Sequence, residues 1–200
     1  MSTVKTTNIT HASNSGTANM ILASDGKVTV AEKKLYCPGT IIQVVSTTKT
    51  DTWTEASIAE GSISSGVITG LTPTMTCTST SSKVLITGYV SIANNVGGDW
   101  AAGIILCNGT TAIADATGDA ASNRTRITAQ SATNYLAEAI PINFLYSPSS
   151  TSAITYGIKV WNGHTSAQTI SVNYKSSDDP DSNNYHRSTS TLTLMEIAGT

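Results

Sequence analysis

Three carboxylates and two amides crowd one short stretch, Asp178-Asp179-Pro180-Asp181-Ser182-Asn183-Asn184. Hard oxygen donors at that density are the ligands calcium selects. The stretch lacks the glycine and closing glutamate of an EF-hand loop, and Pro180 breaks the ligand spacing. It reads as a solvated, turn-rich loop with no metal site. As an exposed recognition loop it would offer Asp178, Asp179, Asp181, Asn183 and Asn184 to a ligand. A second polar stretch, Asn94-Asn95-Val96-Gly97-Gly98-Asp99, runs into Trp100. Amides and a carboxylate bond hydroxyls, and an indole stacks on a sugar ring. Trp100 reads first as a core aromatic. If it sits on the loop, then Asn94, Asn95, Asp99 and Trp100 are candidate contacts for a glycan.

Nothing comparable points to catalysis. His11, His164 and His186 are scattered, and no pair has the spacing of a metal site on one element. There is no GxSxG elbow. Glu55, Glu60, Asp99 and Asp119 would serve glycoside cleavage only if folding brought two of them to one cleft. Neither enzymatic activity nor a cofactor is expected. Cys37, Cys77 and Cys107 are odd in number and lack CxxC spacing, so they read as buried or half-buried free thiols in a reducing compartment. Arg124 and Arg126 share one face of an extended segment and suit a surface or inter-subunit role.

The elements that would carry these groups are strands. Ile41–Val45, Trp53–Ile58, Met75–Thr78, Lys83–Ile92, Trp100–Leu106, Leu136–Tyr146, Ile154–Trp161, Thr169–Tyr174 and Ser190–Ile197 are rich in β-branched and aromatic residues and cut by turn residues. Val84, Ile86, Val90 and Ile92 share one face at period 2, with Gly88 placed for a bulge or a close approach. Asn108-Gly109 is the strongest hairpin signal. Pro141 marks an edge position or a bulge. No long amphipathic helix is present. About eight to ten short strands predict an all-β, antiparallel β-sandwich of jelly-roll type over residues 39–200.

Residues 1–38 differ. They are polar, with a short apolar patch at Met20-Ile21-Leu22 and a hairpin signal at Asp25-Gly26. They read as an extended N-terminal arm ordered by packing on something else, with Ile9, Met20, Ile21 and Leu22 as anchors. Charged residues are 12% of the chain, against ~25% in ordinary domains. Ser and Thr together make up roughly 30%. A charge-poor surface suits a subunit packed in a larger assembly. The net charge of -2 argues against nucleic acid, and no apolar run is long enough to span a membrane. No basic stretch leads into an apolar one near the N-terminus, so no signal peptide is expected.

Several fragments resemble small β-domains in virion proteins of tailed bacteriophages, frequent in phages of marine bacteria. They are NITHASNSGTANMILASDGKVTV at 8–30, PGTIIQVVSTTKTDTWT at 38–54, GLTPTMTCTSTSSKVLITGYVSIA at 70–93, GDAASNRTRIT at 118–128, LYSPSSTSAITYGIKV at 145–160 and YHRSTSTLTLMEIAG at 185–199. The resemblance implies a non-enzymatic virion protein assembled in the host cytoplasm. It implies a homotrimeric tail-fibre or tail-appendage subunit, held to other virion proteins by its arm and contacting a host surface glycan or receptor. The alternatives are a capsid decoration protein and, more remotely, a glycan-cleaving depolymerase. The chain has no coiled-coil or β-helical shaft, so a complete long fibre is not implied.

Overall fold

A computed structural model describes residues 8–9, 20–25, 27–30, 37–96, 100–133, 136–175 and 185–199. Three short strands, β1 (Asn8–Ile9), β2 (Met20–Leu22) and β3 (Val28–Val30), pair antiparallel in the order β1-β2-β3. At the β2–β3 turn the Asp25 carboxylate accepts the Lys27 N–H and pairs with the Lys27 ammonium at 2.9 Å. This is local Asx-turn chemistry at the position the sequence marks for a hairpin.

The remaining strands form two packed sheets. The first contains β4 (Ile41–Lys49), β5 (Trp53–Ile58), β7 (Lys83–Asn94), β11 (Glu138–Tyr146), β13 (Gln168–Val172) and β14 (Ser190–Ile197). β11 lines one edge of β7 over residues 84–92. The opposite edge of β7 is shared: β14 takes residues 83–89 and β13 takes 92–94. β4 then pairs with β14, and β5 with β13. The sheet is therefore four ranks wide, and two of its ranks are each assembled from two separate strands. Pro141 lies on β11, at the sheet's edge, where its missing N–H does no harm.

The second sheet contains β6 (Thr74–Thr76), β8 (Trp100–Asn108), β9 (Thr111–Ala112), β10 (Ala129–Thr133) and β12 (Ala153–Asn162), in the order β10-β8-β12-β6 with β9 closing the Asn108-Gly109 hairpin. Upstream of β6, the chain follows β12 as a broken edge, with the Ser64 N–H donating to Val160 and the Ile68 N–H to Ile158. One 3-10 turn, Ala114–Ala116, interrupts the loop after β9.

Period-2 patterning explains the core. Val84, Ile86, Val90 and Ile92 all point inward and are fully buried. They meet Ile104, Leu106, Ile158 and Val160 of the facing sheet, with Leu192 and Leu194 beside them. Gly88 lies on the same face at φ +152, and a Cβ there would stand 2.0 Å from the Thr191 carbonyl oxygen. The glycine is thus a close-approach position between β7 and β14.

Candidate assembly surface and exposed loops

The outer face of the first sheet departs from ordinary alternation. Outward positions of an antiparallel sheet are normally polar. Here the pairing register places Val44, Met195, Leu85 and Leu145 in one row across four neighbouring ranks. Ile41 and Ile197 extend the band in the next row. Val44 is 56% exposed, Ile41 51% and Leu145 49%. Beyond the band the same face turns polar. Ser46 bonds Thr193 at 2.8 Å, Thr48 bonds Thr191 at 3.0 Å, and Tyr89 bonds Thr189 at 2.8 Å, hydroxyl to hydroxyl.

The β1–β3 sheet, within the expected arm, carries the second uncovered apolar surface. Ile9 is 48% exposed, Ile21 43% and Val28 56%, while Met20 is half-buried. The side chain of Leu22 lies outside the described residues. Among the described residues there are eight exposed large hydrophobic side chains. Three are on the arm, and four (Ile41, Val44, Tyr89 and Leu145) are on this one sheet face, which leaves only Leu136 elsewhere. The two surfaces sit close along the chain. The Gly39 N–H donates to the Ala198 carbonyl at 2.9 Å, and the Ala198 N–H to that of Thr40. Residues 38–40 therefore stand at the corner of the band, beside a groove of about 300 Å³ lined by Pro38, Lys83, Leu145 and Ile197.

A buried carboxylate braces that corner. Glu196 occupies the inward phase of β14 after Leu192 and Leu194, and is fully buried. Its Oε1 accepts the Thr78 N–H at 2.6 Å, the Thr78 hydroxyl at 2.7 Å and the Ser82 hydroxyl at 2.7 Å. Its Oε2 accepts Gln43 Nε2 at 2.5 Å, and the same Nε2 donates to the Thr76 carbonyl at 2.7 Å. Burial works to raise its pKa, but the donated hydrogen bonds outweigh it and hold the carboxyl below its ordinary value. Next to it, burial and then the Glu196 charge push the Cys77 thiol up to about 11. Burial also raises Cys107. Cys37, expected to be at least half-buried, is instead exposed because it precedes the turn into β4.

The acidic loop leaves the first sheet through a polar plug. Asn173 is fully buried at φ +67. Its Nδ2 donates to the carbonyls of Lys49 and Asp51, both at 2.9 Å, and its Oδ1 accepts the Ser190 hydroxyl at 2.6 Å. Ser190 Oγ in turn accepts the Ser91 N–H at 3.0 Å. Outside the plug, Tyr174 and Arg187 form a bridge across the loop base, with the guanidinium 5.1 Å from the Tyr174 ring. Lys175 stands 4.2 Å over the Tyr185 ring. Asp178, Asp179, Asp181, Asn183 and Asn184 lie outside the described residues.

In the other candidate loop, Asn94 is the last residue of β7 and is buried, with its Oδ1 accepting the Val96 N–H. It is thus a turn-forming residue and not an outward contact. Asn95 is exposed, and its Oδ1 accepts the Thr169 N–H at 3.0 Å. Asp99 and the Trp100 side chain lie outside the described residues, although Trp100 opens β8. His11 lies outside them too. His164 Nδ1 faces Ser166 and Gln168, whereas His186 is exposed. Glu55 accepts the Ser65 hydroxyl, and neither described cavity is lined by Glu55, Glu60 or Asp119. Arg126 donates to the carbonyls of Gly118 and Ala114, bracing the loop after β9. Among the described residues no group of His, Cys, Asp and Glu could hold a metal ion.

No protein-family model matches the chain, and no curated protein matches it. Solved structures do. The chain is similar to that titled structure of infectious bursal disease virus Gx strain, at 15% identity and a TM-score of 0.36, over 79% of this chain and 37% of that one. It is also similar to the Gt strain structure, at 14% identity and a TM-score of 0.34, over 88% and 42%. A third is the crystal structure of infectious bursal disease virus VP2 subviral particle, at 16% and 0.31, over 79% and 42%. The chain spans well under half of each. The likeness is loose.

Proposed function

We propose that this is a non-enzymatic structural protein of a virus particle, specifically a tail-fibre or tail-appendage subunit of a tailed phage that assembles as a homotrimer. Its arm holds the sandwich to the particle or to neighbouring protomers, and its polar loops face a host glycan or receptor. One observation carries the assembly role: seven of the eight exposed large hydrophobic side chains among the described residues fall on the arm and on one sheet face. Contiguous exposed apolar surface marks a place where another protein sits. The fragment resemblance to phage virion β-domains supplies the particle.

A second reading, a capsid decoration protein, is favoured by the charge content of 12%, since charge is depleted where subunits pack. Counting copies per purified particle separates the two. A number in the hundreds selects decoration, a few tens or fewer selects a tail appendage, and absence from the particle overturns the virion reading.

A further inference from the structure

We infer that the apolar band on the outer face of the first sheet receives the β1–β3 sheet of a second copy of this chain, so that arms are exchanged between protomers. The inference rests on the assembly reading above and names the surface and its occupant. Three observations carry it.

Both surfaces remain uncovered within a single chain: Ile9, Ile21 and Val28 on the arm, and Ile41, Val44 and Leu145 on the band. Folding of one copy leaves two apolar faces without partners, and a second copy supplies one of each. The arm sheet is also too small to stand alone. Its strands run two or three residues, and so small a sheet needs a packed face for stability. Finally, the arm starts from the corner of the band, at the Gly39–Ala198 hydrogen bond. The chain from Val30 to Cys37 spans at most about 25 Å, enough to reach an adjoining protomer but not a remote one. The chemistry matches as well. The band is two short rows of apolar side chains, Val44, Met195, Leu85 and Leu145 and then Ile41 and Ile197, and the arm offers aliphatic side chains on short strands. The hydroxyl rows at Ser46–Thr193 and Thr48–Thr191 bound the band on one side and satisfy each other.

The test is cross-linking between two populations of the full chain, both carrying Cys37→Ser to remove the exposed native thiol. One also carries Ile21→Cys and the other Val44→Cys. They are mixed, allowed to exchange, and treated with a short bis-maleimide. Light scattering on the same samples reads the oligomeric state. The inference expects a product of two chains that forms in the mixture, while Thr48→Cys in place of Val44→Cys gives little of it. In a chain carrying both Ile21→Cys and Val44→Cys, it expects products of several chains. An oligomer without the mixed product overturns the arm exchange and leaves the assembly reading standing. A product confined to single chains overturns it too, because the arm would then cover its own body. A monomer at every concentration, with no product, overturns both.

Discussion

Replacing Glu196 by alanine tests whether the corner of the sheet beside residues 38–40 is held by one buried charge. The carboxylate satisfies four donated hydrogen bonds, from the Thr78 N–H, the hydroxyls of Thr78 and Ser82, and Gln43 Nε2. Thr78 is exposed, so its hydroxyl turns to water, and Gln43 keeps the Thr76 carbonyl. The Ser82 hydroxyl and the Thr78 N–H lose their acceptor. At about 1–3 kcal/mol for each unsatisfied group, the expected loss is about 3 kcal/mol. With a urea m-value of about 2–3 kcal/mol/M, the unfolding midpoint falls by about 1 M. Glu196→Gln is the sharper probe. A glutamine oxygen keeps the three bonds made by Oε1, but its NH₂ then faces Gln43 Nε2, donor to donor. Flipping Gln43 relieves that clash and forfeits the bond to Thr76, so the loss is about 1–2 kcal/mol. The pH dependence has a definite sign. Because the folded carboxyl is held below its ordinary value, its contribution is complete above the unfolded value of about 4.3 and is lost as pH falls through the folded one. Glu196→Gln should therefore flatten the acid limb of stability below about pH 5. Urea melts of the three proteins between pH 3 and 7 decide it. An alanine variant within about 0.2 M of the parent, or an unchanged acid limb in the glutamine variant, refutes the reasoning.

Other substitutions test other joints. Gly88→Ala puts a Cβ 2.0 Å from the Thr191 carbonyl oxygen, so it should cost several kcal/mol or shift β7 against β14, read as lost soluble yield or a lowered melting temperature. Asn173→Ala removes the amide bonds to the Lys49 and Asp51 carbonyls and the acceptor of the Ser190 hydroxyl, and puts an alanine at a left-handed position. A loss of about 3–5 kcal/mol is expected in denaturant melts, with Asn173→Gly recovering only the backbone share. Thiol labelling of the native protein should modify Cys37 alone, with Cys77 and Cys107 reacting only after unfolding; fast labelling of either would refute their burial.

Much of the sandwich is legible in the sequence because the longer strands of the first sheet bury one face. Trp53–Ile58 and Ser190–Ile197 match their expected limits, and the inward set on β7 follows period 2. What was missed depends on partners. β10, Ala129–Thr133, carries no apolar alternation and is a strand because it pairs with β8. The polar end of β4, Ser46–Lys49, stays extended through hydroxyl bonds to β14. Among the described residues the body holds eleven strands, above the eight to ten expected, because short pieces such as β6 and β9 borrow their order from neighbours. Glu196 had a readable signal: Leu192, Leu194, Glu196 and Ala198 keep one phase, and a charge in the buried phase marks a built polar site. Asn173 had none, since its role arises from two carbonyls far away in the chain. The apolar band was equally hidden, because Val44, Leu85, Leu145 and Met195 become neighbours only through strand register.

The divided rank of the first sheet has a consequence for how this protein can vary. β13 ends and β14 begins in the same line along β7, so the chain between Val172 and Ser190 departs from the sheet and returns to the next vacant place in it. Asn173, Ser190 and Ser91 close the gap from within. The sheet's register is indifferent to what is threaded through that opening. Because β13 and β14 each take their register from β7, replacing residues 176–184 by a longer or different sequence should leave the sandwich in register, which the unchanged melting temperature of such a variant would check. On this reasoning the gap between β13 and β14 is the place in the fold to graft a peptide for display.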